Sequence, residues 1–425
     1  MTERPIGELA DINPPLARLP RDSETVSFVS MADVSESGNL TAHLPQPFGR
    51  VKTGFTRFQD GDILFAKITP CMENGKGALV TGLEGGVGCG STEFHVLRAR
   101  SSNDPRYLYQ WLQWSATRQK AQLFMSGSAG QQRVPAEFFR RFRIPTPELF
   151  IQRRIADVLS NLDDAINATE VLIEKHHQIK AGLMHDLFTR GVLASGELRP
   201  TRAAEPELYR EQSGSWFPAV WQFERLDDLA LRGSGHTPNK EVAEYWNGGI
   251  KWVSLADSNR LDALYISDTE LTISHRGIQN SSAVLHPAGI VVLSRDAGVG
   301  KSAITTEPMA VSQHFMCWKC DQRLDNHFLY YWLQFQKRTF ENIAMGSTIL
   351  TIGLPYFKKL RIACPVDLEE QSLIAARLKA ADQHLFAQQR RLSKLRAQKL
   401  GLMQDLLTGR VSVSPAAAAT ELSHA

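Results

Sequence analysis

Three stretches of the chain invite a chemical reading. AGVGKSAI at 297–304 ends like a phosphate-cradling loop, in Gly-Lys-Ser. That loop needs Gly-x4-Gly-Lys-Ser/Thr with a helix behind it. The place of its first glycine is held by Arg295, and the following AITTEP does not read as a helix. Cys317-Trp318-Lys319-Cys320 is a CxxC. A structural zinc needs four ligands, usually from a second such pair or a pair of histidines. Cys364 stands alone and His314 and His327 are poorly spaced, so the two thiols read as buried apolar groups on a strand. Asn13-Pro14-Pro15 begins like the motif that holds a flipped adenine, but Leu16 stands where the stacking aromatic belongs. No Ser-His-Asp set or carboxylate pair can be assembled. The chain does not look like a methyltransferase, and no metal and no cofactor of its own are expected.

What remains is binding chemistry. AKITPCMENGKGA at 66–78 offers Lys67, Asn74 and Lys76, and SGSAGQQRVP at 126–135 offers Gln131, Gln132 and Arg133. Farther on, SRDAGVGKSA at 294–303 offers Arg295, Asp296 and Lys301, and GSTILTIG at 346–353 offers Ser347 and Thr348. Lys358 follows, and Thr237 sits in a Gly-x-Thr-Pro turn. Lysine and arginine reach phosphates. Glutamine pairs bidentately with adenine and arginine with guanine in the major groove. Loops of this composition suit duplex DNA. The net charge of +3 neither demands nor excludes such a partner, provided positive charge gathers on one face.

The elements that must position these loops occur twice. AGLMHDLFTRGV at 181–192 returns as LGLMQDLLTGRV at 400–411. SFVSMAD at Ser27 matches KWVSLAD at Lys251, STEFHVL at Ser91 matches SQHFMCW at Ser312, and YLYQWLQ at Tyr107 matches FLYYWLQ at Phe328. RIPTPELFIQRRIADVLSNLDDAI at Arg143 matches RIACPVDLEEQSLIAARLKAADQHL at Arg361. The matches keep one order and nearly one offset, so the chain is a tandem duplication of a whole domain with its tail.

Each copy reads as a strand-rich globular part followed by a long helix. GDILFAKI at 61–68 and AGIVVLS at 288–294 read as buried strands, and PRYLYQWLQW and NHFLYYWLQF as short amphipathic helices. After Pro147 and Pro365 apolar residues recur in steps of four and three. They form a seam through Ile155, Leu162, Leu172 and Ile179 in the first copy and Leu378, Leu385, Leu392 and Leu402 in the second. Gly191 and Gly409 mark the expected stops. A lone helix with one apolar stripe needs a partner, and its twin is the simplest. The expected fold class is therefore mixed α/β (α+β): a pseudo-twofold tandem repeat whose two helices pair as an antiparallel coiled coil. It would set the globular parts at opposite ends of a fixed-length rod. The expected division is 1–147 as the first globular domain and 148–190 as its helix. A linker and the second domain follow over 191–366, then a helix over 367–411 and a tail over 412–425.

On these features the chain resembles the specificity subunits of type I restriction–modification systems. The resemblance rests on the tandem plan, the helix-closing phrases GLMHDLFTRGV and GLMQDLLTGRV, and GSGHTPNKEVAEYWNGGIKWVSLAD at 233–257. The first copy departs from it, with INPPLARLPRDSETVSFVSMAD at 12–33 in place of the Gly-x-Thr-Pro turn. The resemblance implies two target-recognition domains, each reading one half of a bipartite site in double-stranded DNA, with the helices setting the gap. It further implies a non-catalytic role in phage defence. The partners would be two methyltransferase subunits and, through them, endonuclease subunits. The alternative is a coiled-coil adaptor that binds other proteins without DNA readout. No stretch of about 18 apolar residues suggests a membrane span. No apolar leader opens the chain, and five cysteines form no disulfide framework, so a cytoplasmic setting is expected.

Overall fold

The computed structural model describes residues 2–128, 130–346 and 350–413. They fall into two compact units. One holds the described residues up to Val171 and from Arg390 onward, and the other holds Leu172–Gln389.

Both units follow one plan. In the first, strands Ala10–Ile12, Phe94–Ala99, Asp62–Ala66 and Gly77–Leu79 lie side by side in that order, all antiparallel. In the second, Ala230–Ser234, Phe315–Cys320, Val291–Ser294 and Ser302–Thr305 repeat the order, and Tyr265–Ile266 adds a parallel edge. Asp62–Ala66 and Val291–Ser294 are buried along their whole length, which is why their sequences show no polar alternation. A further sheet in each unit carries one parallel pair, Thr25–Val29 with Val87–Gly90 and Trp246–Val253 with Met309–Val311. Helices Pro105–Gln113 and Asn326–Phe335 are capped by the side chains of Asp104 and Asp325 and press their aromatic faces into the cores. Finally, Glu3–Pro5 pairs with Arg143–Pro145, and Gln222–Arg225 with Arg361–Cys364. Each globular part thus begins beside the strand on which it ends.

Leu149–Arg190 is one helix of 42 residues, and Leu368–Leu402 is one of 35 that continues into the π-helical turn Met403–Leu407. Gly191 and Gly409 follow with φ of 66° and 74°, the left-handed caps that stop a helix. Each helix gives its first part to one unit and its last part to the other. In the first unit Asp163 meets Lys399 at 2.5 Å and Glu170 meets Arg396 at 2.6 Å. In the second, Lys180 meets Asp382, and the rings of His176 and His384 lie parallel with centroids 6.3 Å apart. In both units numbers rise along one helix as they fall along the other, so the pairing is antiparallel.

The seam follows the expected positions on the second helix, where Leu378 and Leu385 are buried and Leu392 and Leu402 half-buried. On the first helix Ile155 is buried and Leu162 and Leu172 are half-buried, but Ile179 is 50% exposed. There the inward place falls one residue later: Leu159 and Ile166 are buried, and Lys180 rather than Ile179 turns to Asp382. A 3.5-residue repeat drifts against the 3.6 residues of a real turn, and over a long helix the buried stripe widens to take up the difference. Thr169 is buried because its hydroxyl donates to the Ala165 carbonyl at 2.7 Å. The helix ends also pack on globular cores. Ile155, Ala156 and Leu159 join Met403, Leu406 and Leu407 against Phe65, Tyr107 and Phe138 in the first unit. In the second, Leu187 and Phe188 join Ile374, Ala375 and Leu378 against Phe328 and Trp332.

A buried glutamine fastens the start of each long helix. Gln152 accepts from Asp104 N at 3.0 Å and donates to Pro147 O and Asn103 Oδ1. Gln371 accepts from Asp325 N at 2.9 Å and donates to Pro365 O and Arg323 O. Beside it, the Glu370 carboxylate takes both Arg199 guanidinium nitrogens, the Trp221 indole at 3.1 Å and Val192 N at 3.1 Å. Among the described residues no helix is long and apolar enough to cross a membrane.

Candidate nucleic-acid interface

In the first unit the chain leaves buried strand Asp62–Ala66 at Lys67. The loop that starts there is bonded to the later polar loop: Thr69 N donates to Gln132 O at 3.0 Å and Val134 N to Lys67 O at 2.9 Å. Both loops meet the turn before strand Phe94–Ala99, since Lys67 N donates to Glu93 O at 2.9 Å. The Arg133 guanidinium closes the junction on the Glu93 carboxylate at 2.8–2.9 Å and holds that carboxyl below its usual range. Behind it, His95 Nε2 donates to Val134 O at 2.8 Å while Nδ1 accepts from Asn13 Nδ2 at 3.3 Å, the contacts of a neutral ring. Burial lowers its pKa, in keeping with that form. Asn13, at φ 51°, also accepts from Val96 N at 2.9 Å, which fixes the Asn13-Pro14-Pro15 turn against the same strand.

The second unit builds the same junction from other residues. Ile352 N donates to Arg295 O at 2.9 Å, and Arg295 N to His314 O at 3.0 Å. Here the cross-tie runs from His314 Nδ1 to the Asp296 carboxylate at 2.7 Å. The Gly-x-Thr-Pro turn is anchored by His236 N on Val311 O at 3.1 Å and by the Trp252 indole on His236 O at 3.1 Å. Thr237 Oγ1 donates to Gln313 Oε1.

The structure thus brings Lys67, Gln132 and Arg133 together, and Thr237 and Arg295 together, but gives several of these side chains internal partners. Lys76 Nζ donates to Met31 O at 2.8 Å, and Lys301 Nζ to Ser258 O at 2.9 Å. Arg295 is half-buried and donates to Ile352 O at 3.0 Å. Asn74 is exposed and donates to Glu36 at 2.8 Å. A charged side chain at a loop hinge satisfies carbonyls that would otherwise lack donors, and residue type alone does not distinguish this from a phosphate contact. Gln131 is exposed at the loop tip and Lys358 is exposed on helix Leu354–Lys359. Ser347 and Thr348 lie outside the described residues. Residue types singled out none of Thr92, Glu93, His95 and Gln313, and raised Asn13 and His314 only as fragments of other motifs. Five of these six lie in STEFHVL and SQHFMCW, already visible as a repeated landmark.

On strand Phe315–Cys320, Cys317 and Cys320 stand three residues apart and so point to opposite faces. Burial pushes both thiols up to about 12, leaving them protonated and inert.

The family model described as the type I restriction modification DNA specificity domain matches residues 1–175 and 218–395. Over 189 residues the chain is 38% identical to the type I restriction enzyme EcoEI specificity subunit of Escherichia coli, covering 43% of this chain and 32% of that one. The chain thus spans about a third of that relative, as it does of the EcoAI specificity subunit of the same organism, at 31%. A putative type I restriction enzyme MjaX specificity subunit of Methanocaldococcus jannaschii is 23% identical over 356 residues, covering 83% of this chain and 79% of that one. Among solved structures, a type I restriction–modification S subunit from M. genitalium has a TM-score of 0.59 at 15% identity, covering 96% of each chain. A chain from a type I restriction–modification assembly reaches 0.53 at 18%, covering 96% of this chain and 98% of that one. At such identities these two likenesses establish the fold.

Proposed function

The chain belongs to the type I restriction modification DNA specificity family, and from this premise we propose that it is a non-catalytic DNA-reading subunit that recognises a bipartite site. Residues 1–147 and the second domain within 191–366 each read one half. The paired helices, 148–190 and 367–411, act as the spacer that fixes the gap. The subunit works in the cytoplasm in phage defence. It binds two methyltransferase subunits, which bring the endonuclease subunits with them.

One observation carries this reading: the same loop junction is built twice, with unlike side chains around it. Lys67, Gln131 and Gln132 surround one, and Thr237 and Gln313 the other. Two readers of different half-sites need one scaffold and two surfaces. An adaptor for other proteins has no need of polar loops matched in this way.

Salt dependence tests the reading. Binding of the full chain to a duplex carrying its site should fall steeply as salt rises, because phosphate contacts release counterions. Lys67→Ala should lower the slope of log K against log salt by about one and leave sequence preference unchanged. Fluorescence anisotropy from about 50 to 200 mM salt measures both. A flat salt response would favour the adaptor.

The methyltransferase partners find support in two helical glycines. Gly182 and Gly401 are the second residues of the repeated AGLM and LGLM phrases, both are exposed, and among the described residues nothing lies within 4 Å of where their Cβ would stand. Among the described residues nothing requires glycine there. Alanine at each should stabilise the isolated chain by about 0.5–1 kcal/mol. The same changes should weaken capture of the methyltransferase, because a partner packed on bare backbone would meet the new methyl group. Thermal unfolding and co-purification read the two effects separately.

A further inference from the structure

Resting on the DNA-reading role proposed above, we propose that Thr92 and Gln313 are the residues that discriminate a base in the two half-sites, one in each domain. They hold equivalent places. Each follows the serine that opens its landmark, and each precedes the residue, Glu93 or His314, whose carbonyl accepts from the first residue of the loop beyond the buried strand. The next residue, Phe94 or Phe315, is buried at the start of a central strand, so the turn cannot shift without moving the sheet.

The turn is where three segments converge, and its neighbours are occupied in holding it. Arg133 ties Glu93 in the first unit and Asp296 ties His314 in the second. The tie comes from the late polar loop in the first unit and from the loop beyond the buried strand in the second, as expected if either serves to hold the frame and leaves the reading to the side chain next door. Thr92 and Gln313 are both exposed. Thr92 lies on the wall of a groove of about 550 Å³ that also carries Lys67, Arg57 and Phe55. Lys67 there supplies phosphate-binding charge, Arg57 gives its guanidinium to the Lys52 carbonyl, and Phe55, 39% exposed, offers an apolar face.

The chemistry of the two side chains differs as two different half-sites require. The Gln313 amide is oriented by Thr237, whose hydroxyl donates to its carbonyl oxygen. That oxygen keeps a second lone pair, and the NH2 group, which gives one hydrogen to His314 Nε2 at 3.4 Å, keeps the other. The amide can therefore present an acceptor and a donor side by side, the pattern that pairs with adenine N6 and N7. Thr92 offers a hydroxyl that donates or accepts and a methyl that suits the thymine methyl. Thr237 is then a positioning residue for Gln313.

The experiment uses the full chain, a pool of duplexes with randomised half-sites, and sequencing of the bound fraction. Gln313→Ala should abolish selection at one base pair of one half, with a loss of about 5- to 150-fold in discrimination there. Thr92→Val should relax one base pair of the other half only. Thr237→Val should blur the same base pair as Gln313→Ala, and Thr237→Ser should restore it, a rescue that a purely structural role would not give. Both proposed readers are exposed, so unfolding temperatures should stay within a degree or two of the unaltered chain. Unchanged preferences in both halves, or a uniform loss of affinity with preferences intact, would overturn the assignment. An unaltered chain that selects no sequence at all would refute the DNA-reading role and the assignment with it.

Discussion

Seven residues inserted into each long helix, after Ala165 and after Ala397, will lengthen the gap in the DNA target by about two to three base pairs and leave both half-sites unchanged. Seven residues are two turns, so the faces beyond the insertion return to within roughly 20° of their old direction. They add about 10 Å along the helix, against about 3.4 Å for each base pair. Both helices must be extended together, because Asp163–Lys399 and Glu170–Arg396 bracket the two insertion points. An insertion in one helix alone throws these ties out of register and should destabilise the pair without moving the gap cleanly. Long-read methylome sequencing of a host carrying the variant and its methyltransferase reads the result. Altered half-sites with the old gap would end the spacer role.

Glu370→Ala will lower the stability of the second unit by about 3–5 kcal/mol, because it strands a nearly buried guanidinium. The Arg199 and Glu370 side chains are 11% and 13% exposed, and the carboxylate also holds the Trp221 indole and Val192 N. Four donors lose their acceptor at once, and none of them is placed to reach water freely. Removing both charges, with Arg199→Met and Glu370→Met, should cost less than Glu370→Ala alone, since an apolar pair leaves no charge unmatched. Urea unfolding followed by hydrogen exchange at the second unit measures the difference. A cost for Glu370→Ala below about 1 kcal/mol would mean that the carboxylate is not the fastening that its contacts imply.

The repeated architecture was legible in the sequence because it is written in local pattern. Buried strands such as Asp62–Ala66 and stops such as Gly191 and Gly409 each carry their signal within a few residues. The helical seam was legible to within one residue. Ile179 was misplaced because alternating steps of four and three cannot tell a narrow stripe from one that widens toward Lys180. The loop chemistry was much harder to read. Lys76, Arg295 and Lys301 have the composition of phosphate ligands, yet their partners are the carbonyls of Met31, Ile352 and Ser258, 43–57 residues away in sequence. Gln152 and Gln371 hold equivalent groups in the two copies, the amides of Asp104 and Asp325 and the carbonyls of Pro147 and Pro365, but a glutamine on a helix gives no sign of which distant amide it will find. Partners brought together by the sheet are invisible to a reading that runs along the chain.

The short strand pairs Glu3–Pro5 with Arg143–Pro145 and Gln222–Arg225 with Arg361–Cys364 have an evolutionary consequence. Because each globular part opens and closes on one pair of neighbouring strands, a gene segment bounded by them encodes a body whose two loose ends already lie flush. Recombination with crossovers just outside such a pair would exchange one reader for a foreign one and disturb nothing downstream. A crossover between Arg141 and Arg143 would instead marry the opening strand of one lineage to the closing strand of another. Inheritance of new targets should therefore proceed by whole cassettes, with the breakpoints of successful hybrids crowding into the few residues beyond Pro145 and Cys364.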